Sequence, residues 1–224
     1  MRYVLSVALA GALALTPSVA AGASPATTVG TGDAGQTAIE FVAKVDQTGP
    51  RFDFYGYATY VRGLPESALF AKQGIDQSEA TARITFSGST TLTQRSIMGD
   101  DVYALTSSGA ITFHLAPGGA SFSDPSSFSR GPAIATELLR FQNLITVRYS
   151  EQAGDSSSAG TTAISIGSGD LAQRASAVFA IGGKRYRLGR KGLDQRVFAD
   201  GQGTLVDQTT PRAVMLVAGD ASGA

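Results

Sequence analysis

The chain contains no cysteine. That excludes a disulfide framework, thiolate zinc sites and cysteine nucleophiles. Tryptophan is also absent, and His114 is the single histidine. Zinc and copper sites therefore lack their usual imidazole ligands, and any Ser-His-Asp triad has to use that one ring. His114 sits in Ile111-Thr112-Phe113-His114-Leu115, on the strand face opposite the apolar residues, and reads as an exposed or hydrogen-bonded strand histidine. No Gly-x-Ser-x-Gly elbow occurs, so the corresponding serine hydrolases are unsupported. Glutamate is scarce. Glu66 and Glu79 lie in or beside one long loop, but nothing in the sequence fixes the separation that a glycosidase pair needs. Asp100-Asp101 lacks the ligand spacing of a calcium loop and reads as a turn. No catalytic residue, metal ligand or cofactor is therefore assigned.

Excess charge of either sign is missing too. Lys and Arg total 18, as do Asp and Glu, so no global field draws in nucleic acid, and any polyanion site has to be local. Only Lys44, Lys72, Lys184 and Lys191 are lysines. The remaining cations are arginines, which suit planar recognition of oxyanions. Gly30-x-Gly32-x-x-Gly35 matches the dinucleotide fingerprint in letters. That motif works between a strand and a helix N-terminus, whereas here it follows a Gly/Ser/Thr-rich leader and precedes a strand-like segment.

What is present begins with Met1-Arg2-Tyr3, an apolar run from Val4 to Leu15, then Thr16-Pro17 and small-x-small triplets up to Ala23. This is the pattern of a secretory signal peptide over residues 1–23. The run is shorter than the roughly 20 residues of a membrane span, and Ala213–Ala218 is shorter still. The expected location is outside the cytoplasm: extracellular, periplasmic or associated with the cell envelope. Residues 24–36 read as a flexible leader, 37–219 as a single β domain and 220–224 as a tail.

From Ala38 onward the apolar residues recur at every second position. Ile39, Phe41, Ala43 and Val45 form one such series, and Phe52, Phe54 and Ala58 another, separated by Gln47-Thr48-Gly49-Pro50. A hairpin with a four-residue loop would set Val45 against Phe52 and Ala43 against Phe54. Asp46–Arg51 and Lys44–Asp53 would then lie on the other face. Further hairpins are expected at Ser87-Gly88-Ser89, Ser107-Ser108-Gly109, Gly182-Gly183 and Asp200-Gly201. Leu139, Phe141, Ile145, Val147 and Tyr149 make one long strand, and Val214–Val217 a closing strand that is apolar on both faces. Helical turns are expected only at Pro65–Ala71 and Pro125–Phe128, the second capped by Asp124. Gly63–Ala80 and Ala116–Pro132 carry Leu64, Leu69, Phe70, Phe122 and Phe128, so they should pack down as ordered loops. Ser150–Thr162 has no apolar anchor and reads as mobile.

Consecutive hairpins without crossovers imply an all-β fold, a single antiparallel meander. The expected form is a closed β-barrel, because closure removes exposed edges; the alternative is a two-sheet β-sandwich. In hairpin order the chain resembles small secreted barrels of the lipocalin-like or allene-oxide-cyclase/dirigent-like kind. The resemblance covers architecture and no individual residues. Without tryptophan, the lipocalin Gly-x-Trp start is absent, and no site is carried over.

Two constellations remain. In the Gly182-Gly183 hairpin, Arg185 and Arg187 fall opposite Ala180 and Val178, and extending that register sets Arg174 against Lys191. Four cations then share one face, a candidate site for an anionic small molecule or an envelope polyanion. Tyr55 and Tyr57 share a face of the first hairpin, with Tyr60 just beyond. Together they offer a flat aromatic surface with polar tips, or else they pack under the Gly63–Ala80 loop. The sequence thus points to a secreted, non-catalytic β-barrel module that binds a small apolar or anionic ligand or an anionic envelope polymer. A cavity-type cyclase- or isomerase-like enzyme and a purely structural envelope protein are the alternatives.

Overall fold

The computed structural model describes residues 24–72, 74–99, 101–149, 161–207 and 212–224. The signal peptide expected over residues 1–23, and most of the mobile segment expected after Tyr149, lie outside the described residues.

Eight long strands form one closed antiparallel barrel. In chain order they are β2 (Thr37–Thr48), β3 (Arg51–Val61), β4 (Ile84–Met98), β5 (Val102–Leu115), β6 (Ala133–Tyr149), β7 (Thr161–Ser176), β10 (Asp194–Asp207) and β11 (Arg212–Gly223). Each pairs with its neighbour in the meander, and β11 pairs back onto β2. The outcome is a barrel and not a sandwich, with the apolar Val214–Val217 segment in the strand that makes the closure. The period-two pattern is the cause. In β7, Thr161, Ala163, Ser165, Gly167, Gly169, Leu171 and Gln173 are all buried, while the residues between them are exposed or half-buried. β11 continues to Gly223, opposite Gln195, so most of the expected tail belongs to the closing strand.

Three expected hairpins are instead the middles of strands. Gly88 lies inside β4, Gly109 inside β5 and Gly201 inside β10. Their glycines serve space and not reversal. A Cβ on Gly88 would stand 2.6 Å from the Phe54 ring, and one on Gly201 the same distance from Val217. Glycine in a strand commonly marks such a close approach at a barrel bend.

The β2–β3 hairpin exists, but its turn is the two residues Gly49-Pro50, with Gly49 at φ 56°. Pairing therefore shifts by two, setting Val45 against Phe54 and Ala43 against Gly56. An even shift keeps both faces, so Phe52 and Phe54 still point inward. The cross-strand charge pairs are lost, because Asp46 now faces Asp53. Each carboxylate takes a cation from its own strand: Lys44 Nζ lies 3.6 Å from Asp46, and Arg51 Nη2 lies 2.6 Å from Asp53.

The Gly182-Gly183 turn joins β8 (Val178–Ile181) to β9 (Lys184–Leu188) in the expected register. This hairpin is separate from β7. With β1 (Thr27–Val29), which runs parallel to β9, it makes a three-stranded sheet. The leader is thus partly a strand, because Val29 has an apolar place to go and is 1% exposed. β1 does precede Gly30-x-Gly32-x-x-Gly35, but β2 follows it where a dinucleotide site needs a helix.

Among the described residues, helix is confined to α1 (Glu66–Leu69) and to 3-10 turns at Gly74–Asp76 and Pro125–Ser129. The Asp124 side chain does not cap the last of these. It accepts a hydrogen bond from Ser126 Oγ at 2.6 Å and pairs with Arg130 at 2.5 Å. The Ser126 bond is the main reason its carboxyl is held below the usual range.

Candidate functional site: the barrel lumen

The two ends of the barrel are built differently. At one end the three-stranded sheet sits as a plug. Val29, Phe179, Ile181, Tyr186 and Leu188 join a single buried cluster with Ile39, Val61, Phe113 and Ala221 of the barrel wall. Inward-pointing glutamines tie it down. Gln173 Nε2 donates to the Leu188 carbonyl oxygen at 2.7 Å, and Gln195 Nε2 to that of Gly30 at 3.3 Å. Ser176 Oγ also donates to Leu188 O, at 2.9 Å.

Above the plug lies an inner cavity of about 130 Å3. Phe41, Phe54, Phe86, Phe113, Leu139 and Phe141 give it an apolar wall. Phe41 and Phe86 meet edge to face with centroids 5.7 Å apart, and Phe113 tilts against Phe86 at 5.6 Å. A few polar groups interrupt this wall: Gln47, Thr90, Ser107, and the bonded pair Ser165 Oγ–Asn143 Oδ1 at 2.8 Å. An outer basin of about 430 Å3 adjoins the cavity, and the two share Gln47, Leu105, Ala213 and Met215 in their walls. The basin is bounded by the Gly49-Pro50 turn, Leu92, Tyr103, Ile145, Val147 and Leu205, and by Arg95. An apolar cavity of about 150 Å3 already suffices for benzene, and small-molecule sites span roughly 300–1,000 Å3.

Arg95 reaches the basin through a β-bulge. Leu92 faces Ser107, the register then shifts, and Arg95 faces Leu105. The extra residue turns Arg95 to the inner face that strict alternation from Leu92 would deny it. Its guanidinium carbon lies 5.0 Å from the centre of the Tyr103 ring.

Glu137 also points inward, opposite Gln173 and Ile111. It is 2% exposed, and neither its Oε2 nor Gln173 Oε1 has a hydrogen-bond partner. Burial raises its pKa from 4.5 to about 7. It belongs to the wall of neither cavity.

The residues expected from sequence lie elsewhere. Tyr55 and Tyr57 are on the outer wall, packed under the long loops. Tyr55 contacts Phe128 and Phe122 at 5.3 and 6.1 Å between centroids; Tyr57 contacts Phe70 and Phe122 at 6.1 and 6.3 Å. Tyr55 Oη donates to Asp46 at 2.7 Å, and burial followed by that bond raises its pKa. Burial, then the Glu79 charge, raises that of Tyr57. Tyr60 lies outside, opposite Glu40. Arg185 and Arg187 do stand opposite Ala180 and Val178. Pairing ends there, so Arg174, at the bulge of β7 against β6, has no cross-strand partnership with Lys191. Arg185 Nη1 donates to the Ser24 carbonyl oxygen at 2.7 Å. His114 Nδ1 lies 3.3 Å from the Gly131 carbonyl oxygen, and Glu66 is hydrogen-bonded by Gln77 within its own loop. Among the described residues no three His, Asp or Glu gather as a metal site.

One signal in the sequence pointed to the lumen; the bulge that turns Arg95 inward had none, because Ile97 beyond it is 62% exposed. The alternation through Leu139 and Phe141, extended back by two, places Glu137 inside. Comparison with protein-family models, curated proteins and solved structures finds no match for this chain.

Proposed function

We propose that this protein is an exported, non-catalytic binding module that takes a small apolar ligand into its barrel lumen through the end opposite the plug. The observation that carries this reading is the pair of adjoining cavities, with an apolar wall and only a few polar groups. The signal-peptide pattern over residues 1–23 supports export. The interior supports a water-soluble barrel: its wall is apolar, and Arg140, Asp170, Arg196 and Asp200 are exposed on the outer wall, beside the exposed Leu138, Leu144, Ile166, Phe198 and Leu216. A membrane barrel pairs a polar interior with its outward apolar band. Glu137 is the feature that favours a cavity enzyme, but it stands in neither cavity wall, so binding remains the better reading.

The test is a neutral, environment-sensitive dye such as N-phenyl-1-naphthylamine. Wild type is expected to bind it with enhanced fluorescence. Ala213, in the wall of both cavities, is the place to obstruct. Ala213→Phe should weaken the dye by about tenfold or more, equivalent to losing some two buried methylenes, with the circular dichroism of the barrel retained. Dye binding that ignores this substitution would place the ligand outside the lumen.

A further inference from the structure

Among the described residues that wall the two cavities, Arg95 is the one charged side chain. It stands at the outer basin, and no salt bridge within the described residues occupies it. From this geometry, and resting on the lumen being a ligand site, we infer that the ligand is an amphiphile: an apolar chain ending in a single carboxylate. The chain fills the phenylalanine-lined cavity, and the carboxylate meets Arg95 at the mouth.

Orientation follows from desolvation. A carboxylate drawn into the inner cavity would lose its water and find no cation there. At the basin it keeps part of its hydration and gains the guanidinium, whose two parallel N–H bonds fit the planar head. The Tyr103 ring lies 5.0 Å from the guanidinium carbon, and such stacking favours the cation while leaving its donor edge free. The bulge after Leu92 aims the arginine inward. Without it, Arg95 would face solvent like Gln94. An elongated ligand suits two cavities that share four wall residues and therefore adjoin.

The experiment displaces the neutral dye with decanoate and, separately, with decanol at pH 8 and low ionic strength. Decanoate should bind about fivefold tighter than decanol, the upper range of a solvent-exposed ion pair. The advantage should shrink as salt is raised. Arg95→Gln should remove the preference and leave decanol unchanged. The salt series on wild type tests the same point should that variant misfold. If both compounds displace the dye equally, or Arg95→Gln leaves the preference intact, the carboxylate assignment is wrong and the apolar lumen stands. If neither displaces a dye that Ala213→Phe does exclude, the occupant is not a single-chain amphiphile. If the dye itself fails to bind, both readings fall.

Discussion

The barrel's two ends share eight strands and almost nothing else. At the plugged end every connection is long: residues 62–83 join β3 to β4, 116–132 join β5 to β6, and 177–193 carry the β8–β9 hairpin. All three bring apolar side chains, and Leu69, Phe70, Phe128, Phe179 and Leu188 are buried by them. At the other end two connections are short: β2 meets β3 through Gly49-Pro50, and β4 meets β5 across residues 99–101, and among the described residues none covers that rim. Closing a sheet into a barrel removes its edges but leaves two open rims. The described residues fill one rim and leave the other uncovered. Stability is therefore concentrated at the plug and ligand access at the mouth, as expected where binding regions are drawn from the less stable parts of a fold.

The largest predicted effect tests that division directly. Leu188 is 1% exposed in the plug, against Gly30, Val61 and Ile39. Leu188→Ala should cost about 2–5 kcal/mol in urea unfolding, through lost transfer energy and the cavity left behind. Leu92, half-buried at the mouth, offers the same substitution with much of its surface already wet. Leu92→Ala should cost less than about 1.5 kcal/mol. Equal costs at both positions would break the comparison.

A second test uses the carboxyl near the plug. The folded pKa of Glu137 is about 7, against an ordinary 4.5, so the folded state holds its proton more tightly than the unfolded chain. Below pH 4.5 the group is protonated in both states and exerts no pH dependence. Between pH 4.5 and 7 the unfolded chain ionises first, so stability falls as pH rises. Above pH 7 the loss is complete, on the order of 3 kcal/mol. Glu137→Gln, which keeps the shape without the charge, should flatten this slope in unfolding midpoints measured from pH 4 to 8. It should also be more stable than wild type at pH 8. An unchanged slope would mean that Glu137 keeps its charge through a partner or water inside the barrel.

The architecture was legible because period-two burial and hairpin spacing are local properties. Ile39 through Val45, and Leu139 through Tyr149, carry their inward faces in the residue order itself. What failed depended on distant neighbours. Gly88, Gly109 and Gly201 look like reversals, yet each is a gap filled from the adjacent strand, Gly88 by Phe54 and Gly201 by Val217. No local rule separates a turn glycine from a packing glycine when both are flanked by serine or aspartate. The β2–β3 register slipped for a related reason. Two-residue and four-residue loops differ by an even step, so both satisfy the apolar face, and the cross-strand charge pairs favour the four-residue loop that does not form. Tyr55 and Tyr57 carry chemistry suited to ligands but have parity opposite to Phe52 and Phe54, and they take the alternative open in the sequence, packing under the long loops. Their parity alone excluded the lumen once the barrel was assumed. The long loops then found the same outer wall and covered it.

Those tyrosines supply the smallest predicted effect, and one that sharpens the line between inside and outside. Tyr55 has two separable contributions: a ring packed on Phe122 and Phe128, and a hydroxyl bonded to Asp46 at 2.7 Å. Tyr55→Phe keeps the first and removes the second. Asp46 retains Lys44 at 3.6 Å and access to water, so it is not left buried and bare. The cost should therefore be about 1 kcal/mol, that of one hydrogen bond with a partly exposed partner. Dye affinity should not change, because the ring lies across the sheet from the cavity wall formed by Phe52 and Phe54. A fall in affinity with Tyr55→Phe, at unchanged stability, would extend the binding surface over the rim onto the outer wall and bring Tyr57 and Phe122 back as ligand contacts.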